Sequence, residues 1–326
     1  MKEAAFAAKN SPKWKAMEEG KSVSPDVAAS HFIELTDDLS YARTFYPGSR
    51  TESYLNQLAS HKFMHLYKNK KLKPKRLLLF WTTEIPLLIA EHKQKILFSL
   101  LLLCVGIGIG VFSAAMDETY VRLILGDDYV NRTLANIEKN DPMAIYKSMD
   151  AANSFLYITR NNIQVSFIAF VAGIMFSAGT ALLILSNGIM LGAFQYFFYQ
   201  KGLLLTSVLS IWVHGTLEIT SIIIAGGAGF VLGNSLLFPG SYPRAYAFKK
   251  GAMQGVKIVV SLVPFFIFAG FLEGFVTRHT FMPVWLSSSI ILLSAALVFG
   301  YFILLPYQLT SKYKPSLKTT TNGSKD

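Results

Sequence analysis

From Asn161 to Pro243 the chain carries only three charged or imidazole side chains, Lys201, His214 and Glu218. So long a stretch with so little charge has no polar face to offer water. The architecture it allows is a set of helices in lipid, where each segment satisfies its own backbone N–H and C=O groups. The wider composition agrees: 52% of the 326 residues are hydrophobic and 16% are charged, against roughly 25% charged in soluble domains. The formal charge of +11 would suit nucleic acid, but the lysines stand beside apolar spans, as in cytoplasmic loops facing anionic lipid. Membrane lipid is therefore the expected partner and nucleic acid is not. The single cysteine, Cys104, lies in an apolar span, which excludes an intrachain disulfide and predicts an inert core thiol. No cleavable signal peptide is visible, and the first apolar run begins near Ile96.

These features predict an all-α fold: a polytopic transmembrane helix bundle of about six spans, one broken or re-entrant, with a small N-terminal helical module. Residues 1–76 read as that module, cytoplasmic and soluble. Ser24 caps and Pro25 opens a helix that stops at Pro47-Gly48, and a second helix runs from Thr51 to Tyr67. So small a hairpin is expected to pack on the membrane domain or a partner. A basic block (Lys62, Lys68, Lys70, Lys71, Lys73, Lys75, Arg76) reads as a cytoplasmic anchor. Residues 77–94, too short to span, read as an interfacial amphipathic helix kinked at Pro86.

The transmembrane domain is expected over 95–310, with spans near 96–116, 163–186, 188–200, 203–233 (broken), 257–277 and 284–306. The segment 117–160 holds seven acids against five bases and is expected outside. Residues 161–200 contain no charge or histidine, more than the roughly 20 one crossing needs, which predicts a turn at Ser186-Asn187-Gly188. A basic tail, 311–326, returns to the cytoplasm, where the N-terminus also lies.

His214 and Glu218, four apart, share one helix face, and a carboxylate in hydrocarbon costs at least about 2.5 kcal/mol. They are the first candidates for an intramembrane polar binding site, at a helix broken near Gly215. Glu273 is the third. It is read first as an interface carboxylate paired with Arg278, and alternatively as sharing a site with His214. Asn161, Asn162, Asn187, Thr216 and Arg278 are possible support, with Asn161 and Asn162 read as caps of the second span. Gly106, Gly110, Gly188, Gly192, Gly229 and Gly233 read as close-packing positions. Two ligands fall short of a zinc site, and recruiting Glu273 and His279 is disfavoured on ligand count, so neither a metal nor a cofactor is expected. No complete catalytic set is present, and no enzyme is predicted.

The run His214-Gly-Thr-Leu-Glu218-Ile, continuing through Ala225-Gly-Gly-Ala-Gly229 to Leu232-Gly233 and Pro239-Gly240, resembles the stage II sporulation protein M family of bacterial membrane proteins. So does Ala269-Gly-Phe-Leu-Glu273-Gly-Phe-Val-Thr277. Trp14, the run Asp38-Leu-Ser-Tyr-Ala-Arg43, Tyr46-Pro47 and Tyr54-Leu-Asn56 look like the extended members of that family. The resemblance implies a multi-pass protein of the bacterial inner membrane. In its sporulation member it implies work with peptidoglycan-degrading partners during engulfment. Other envelope or membrane proteins, and a second copy in a homo-oligomer, are the partners it suggests. The expected role is a scaffold or assembly component of an envelope complex. The alternative is a transporter or channel using His214 and Glu218 for a proton, an ion or a polar substrate.

Overall fold

The computed structural model describes residues 1–19, 25–66 and 74–319, and every regular element in them is helical. The chain divides into two compact units, Met1–Leu77 and Leu78–Asp326. Ser24, most of the basic block and the end of the basic tail lie outside the described residues.

The first unit is a three-helix cluster: α1 (Glu3–Glu19), α2 (Pro25–Phe45) and α3 (Arg50–Leu66). Sequence periodicity finds α2 and α3 but misses α1, whose apolar residues are too sparse to show a stripe. That third helix closes a core of its own. Phe6 and Trp14 pack with Leu35, Leu39, Leu55 and Leu58, and the Trp14 indole N–H donates to Asp38 at 2.8 Å. Gly48 turns the chain between α2 and α3 with φ +76°, and Ser49 accepts from the Glu52 N–H to cap α3.

After α4 (Pro74–Leu79), the region expected as one interfacial helix is a π-turn, Phe80–Glu84, followed by α5 (Ile85–Glu91). Ile85, Leu88 and Ile89 of α5 are buried in the main core rather than laid on a surface. The bundle proper consists of α6 (Lys93–Met116), then α7 (Glu118–Leu125) and α8 (Asp127–Glu138) in the polar segment. It continues with α9 (Ala151–Val171), α10 (Ala178–Gln200), α11 (Leu204–Leu237) and α12 (Arg244–Phe271). It closes with α13 (Val284–Phe299) and α14 (Leu305–Thr319), joined by a π-turn into one long rod. Among the described residues five helices are long and apolar enough to cross a membrane: Lys93–Met116, Ala178–Gln200, Leu204–Leu237, Arg244–Thr277 and Val284–Lys312. The protein is a multi-pass membrane protein.

A sixth helix, α9, runs beside them without being apolar enough to qualify. It lies antiparallel to α12 along its whole length: Gly274 meets Ala151 and Phe155, Gly270 meets Thr159, and Gly255 meets Phe170. Asn153, Arg160, Asn161 and Asn162 hide this helix from a hydropathy reading, which places the second span too late, at 163–186. The turn after it is therefore not at Ser186-Asn187-Gly188 but at 172–177, where Phe176 and Ser177 adopt φ of +50° and +70°. Nothing in the residue types of that turn announces it. It is enforced by packing, since Gly173 and Ser177 press against Gly229 and Gly233 of α11. The expected turn residues are absorbed into α10 instead: Asn187 donates to the Leu183 carbonyl, and Gly188 packs on α6.

The segment 203–233 is also not broken. α11 runs without interruption through His214 and Gly215, a position where glycine costs about 1 kcal/mol and surrounding helices supply the compensation. Gly202, with φ +70°, ends α10 and lets the Leu203 N–H reach back to the Phe198 carbonyl, turning the chain into α11. α12 begins at Arg244, so much of the expected loop before residue 257 is helix. Helix likewise continues to Thr319 where a tail from 311 was expected. Cys104 is exposed on the apolar flank of α6, not in the core.

Gly106 and Gly110 of α6 interlock with Gly188 and Gly192 of α10 at backbone contact distance. A Cβ on Gly106 would stand 2.5 Å from the Leu185 oxygen, whereas one on Gly108 would meet nothing within 4 Å. Replacing Gly106 or Gly188 by leucine is therefore expected to lower the unfolding temperature in detergent strongly, beyond the roughly 1–3 kcal/mol of ordinary overpacking. Gly108→Leu, on the same helix, is expected to leave it nearly unchanged. Equal effects of all three would contradict this packing.

Candidate functional site

The end of the bundle that holds residues 117–150 contains a cavity of about 770 Å³. The segment 117–150 forms a lid over it. Val121, Val130 and Met143 pack on Ala114, Ala193 and Phe197 at the ends of α6 and α10. Asp117 caps α7 in the lid, and Asp150 caps α9 where the lid returns to the bundle. Asp117 accepts from the Thr119 hydroxyl and N–H, and Asp150 accepts from the Asn153 and Ala152 N–H groups. These bonds hold both carboxyls below the usual carboxylate range.

His214, Glu218 and Glu273 all line this cavity. α11 carries the first two on one face, as their spacing of four requires. The third arrives through a local irregularity. α12 ends in a π-turn, Leu272–Thr277, where the helix widens and resets the direction of its side chains. Residues 273 and 277 then grip the two sides of one ring. The Glu273 Oε2 lies 3.6 Å from His214 Nε2, and the Thr277 Oγ1 lies 3.0 Å from His214 Nδ1. The His214 and Glu273 side chains are 5% and 15% exposed, and the carboxylate meets the cavity. Glu218 accepts from the Asn162 amide at 2.6 Å.

The pairing of Glu273 with Arg278, favoured from sequence, is not what forms. The Arg278 guanidinium donates to the Met149 carbonyl at 3.4 Å, because the π-turn swings Glu273 inward to His214. Nor do Asn161 and Asn162 cap a helix: α9 starts ten residues earlier, at Ala151, with Asp150 as its cap. Asn162 serves instead as the partner of Glu218. Asn161 and Asn187 line the cavity, whereas Thr216 donates back to the Trp212 carbonyl. His279, considered as a further ligand, is exposed and is not in the cluster. Gly229 and Gly233 contact Thr180, Ala169 and Ser177 at the opposite end of α11.

Two contributors escape sequence reasoning. Thr277 has no signal of its own, since its role depends on the π-turn. Tyr146 sits in the short helical turn Ala144–Lys147 of the lid, and its ring stands 5.8 Å from that of His214, nearly edge-on. Burial, with the nearby Glu273 carboxyl next in weight, pushes the Tyr146 phenol well above its ordinary pKa. It therefore stays a neutral donor at every physiological pH. Nothing in the sequence separates Tyr146 from the other tyrosines of the segment 117–160, Tyr120, Tyr129 and Tyr157.

The chemistry on offer is one imidazole and two carboxyls around a common point, with phenol and amide groups beside them and apolar walls beyond. Removing the amide that satisfies Glu218 leaves a buried carboxyl without its partner. Asn162→Leu is expected to cost about 1–3 kcal/mol in reversible unfolding from mixed micelles. Asn161→Leu, at an exposed neighbour on the same helix, is expected to change little. A helix-capping role for both asparagines would make the two losses equal.

Comparison with known proteins adds two family matches. Residues 99–278 match the family model described as Stage II sporulation protein M, and residues 4–68 match one described as a domain of unknown function, DUF8413. No curated protein and no solved structure gives a significant match. The first match covers α6 to the π-turn after α12, so it contains all three site residues, and the N-terminal helices fall to the second. Spanning more than half of the chain, the match at 99–278 establishes that this protein belongs to the stage II sporulation protein M family.

Proposed function

We propose that this protein is a non-enzymatic assembly component of an envelope complex in the bacterial inner membrane, with a polar ligand held in the cavity of its membrane domain. The observation that carries the reading is the convergence of His214, Glu218 and Glu273 in a cavity at one end of the bundle. Beyond the cavity the core is filled by Phe170, Leu232, Ile258, Leu262 and Phe266. Below them Gly229 and Gly233 are in backbone contact with the turn at 172–177. A site that opens on one side of such a plug is suited to holding a ligand rather than passing it.

The distribution of charge supports cytoplasmic termini. Lys93, Lys95, Arg244 and Lys249 lie at the starts of α6 and α12, whereas Asp117, Asp127 and Asp128 lie in the lid. By the positive-inside rule the lysine-rich end faces the cytoplasm. The N-terminal unit, with its own core, then offers a cytoplasmic surface to partner proteins.

The transporter reading has one observation in its favour, the size of the cavity next to buried ionisable groups. The two readings separate in liposomes. Glu218→Gln keeps shape and removes charge, so a proton-coupled transporter would lose its flux while an assembly component would show none in either form. For the assembly component, deletion of residues 1–77 is expected to abolish the cross-links to neighbouring membrane proteins that the full chain makes in cells. Proton or solute flux abolished by Glu218→Gln, with cross-links unaffected by the deletion, would overturn the assembly reading.

A further inference from the structure

We infer that His214, Glu218 and Glu273 form a binding site for one divalent first-row transition-metal ion, of which zinc is the simplest probe. The inference deepens the reading of the cavity as a ligand site and rests on it. One donor atom from each residue, an imidazole nitrogen and two carboxylate oxygens, lies within 4.8 Å of the others. Ligands about 2.0–2.2 Å from a zinc ion stand roughly 3–4 Å apart, so a small inward rotation of the side chains closes the set. The 3.6 Å between His214 Nε2 and Glu273 Oε2 is too long for a hydrogen bond, yet it suits two ligands of one ion.

Two of the three donors are also held from behind. The Thr277 hydroxyl stands 3.0 Å from Nδ1, so an imidazole that ligates through Nε2 can donate its Nδ1–H there while the Nε2 lone pair faces Glu273. The Asn162 amide takes Glu218 Oε1 and leaves Oε2 free. Such outer partners fix tautomer and orientation in metal sites generally.

Charge points the same way. Among the described residues no lysine or arginine pairs with Glu218 or Glu273. The nearby cations are engaged elsewhere, Lys147 with Asp141 and Arg278 with the Met149 carbonyl. The other titratable groups facing the cluster are the phenols of Tyr146 and Tyr129. A divalent ion would be balanced by two carboxylates for which no described lysine or arginine competes. One nitrogen and two oxygens suit zinc, iron, manganese or cobalt rather than a thiolate-seeking ion. Three protein ligands leave a coordination position open toward the cavity, where water or a polar ligand can complete the shell.

The test uses the full chain, purified in mild detergent, stripped with a chelator and re-equilibrated with zinc. Bound metal is counted by mass spectrometry, and cobalt is substituted to read coordination from its visible absorption. About one zinc per chain is expected, with affinity reduced tenfold or more in Glu218→Gln and in Glu273→Gln and unchanged in His279→Ala. Thr277→Val removes no ligand and is expected to weaken binding by about 10–100-fold, which keeps the test decisive if a glutamine variant fails to fold. Less than a tenth of an equivalent in the wild type would overturn the site, as would zinc binding undiminished by all three site variants. A chain that binds zinc but keeps its cross-links in cells when residues 1–77 are deleted would count against the assembly reading alone. A zinc-free chain whose cross-links respond to Glu218→Gln would count against the metal alone.

Discussion

A helix can be surrounded on every side in lipid only if its neighbours approach to backbone contact, because hydrocarbon gives helices no hydrophobic reason to associate. α11 is in that position, packed by α6, α9, α10, α12 and α13. Its glycines make the approach possible: Gly226 meets Ser99 and Ile184, Gly227 meets Ile96, and Gly229 and Gly233 meet the turn between α9 and α10. The same device joins α6 to α10. With α11 fixed in this way, most side chains from Ile211 to Gly233 are enclosed between helices. Two of them, His214 and Glu218, are ionisable.

The site follows from that constraint together with one irregularity. A regular continuation of α12 would direct Glu273 and Thr277 according to a period of 3.6 residues. The π-turn changes the period locally and aims both at one imidazole. Apolar packing fills the stretch of α11 beyond the site, and the three ionisable groups meet at the lid end. The lid in turn depends on the bundle, since its own helices are short and bury Val121 and Val130 against α6 and α10.

Much of this was legible in the sequence, in proportion to how local the determining physics is. Low charge and high hydropathy were enough for the all-α membrane bundle, and a spacing of four was enough to put His214 and Glu218 on one face. The glycine pairs Gly106/Gly110 and Gly188/Gly192 were visible as small residues at helical intervals. What could not be read was set by contacts between distant segments. The α9–α10 turn puts Phe176 and Ser177 at positive φ, which neither side chain favours, with Ser177 packed against Gly233. Residues that do look like a turn, Ser186 to Gly188, serve a helix–helix contact instead. α9 was concealed by its asparagines, and one of those, Asn162, is polar because Glu218 lies opposite it. The pairing of Glu273 with His214 rather than Arg278 depends on a π-turn that no residue pattern announces.

The central claim is that His214 and Glu273, far apart in sequence, act as one unit. A double-mutant cycle measures this directly, using reversible unfolding of His214→Ala, Glu273→Gln and the double variant in mixed micelles. Contacting residues in a shared network couple by about 0.5–3 kcal/mol, and a coupling in that range is the expected result. Losses that add to within about 0.3–0.5 kcal/mol would mean that the two side chains do not share a site.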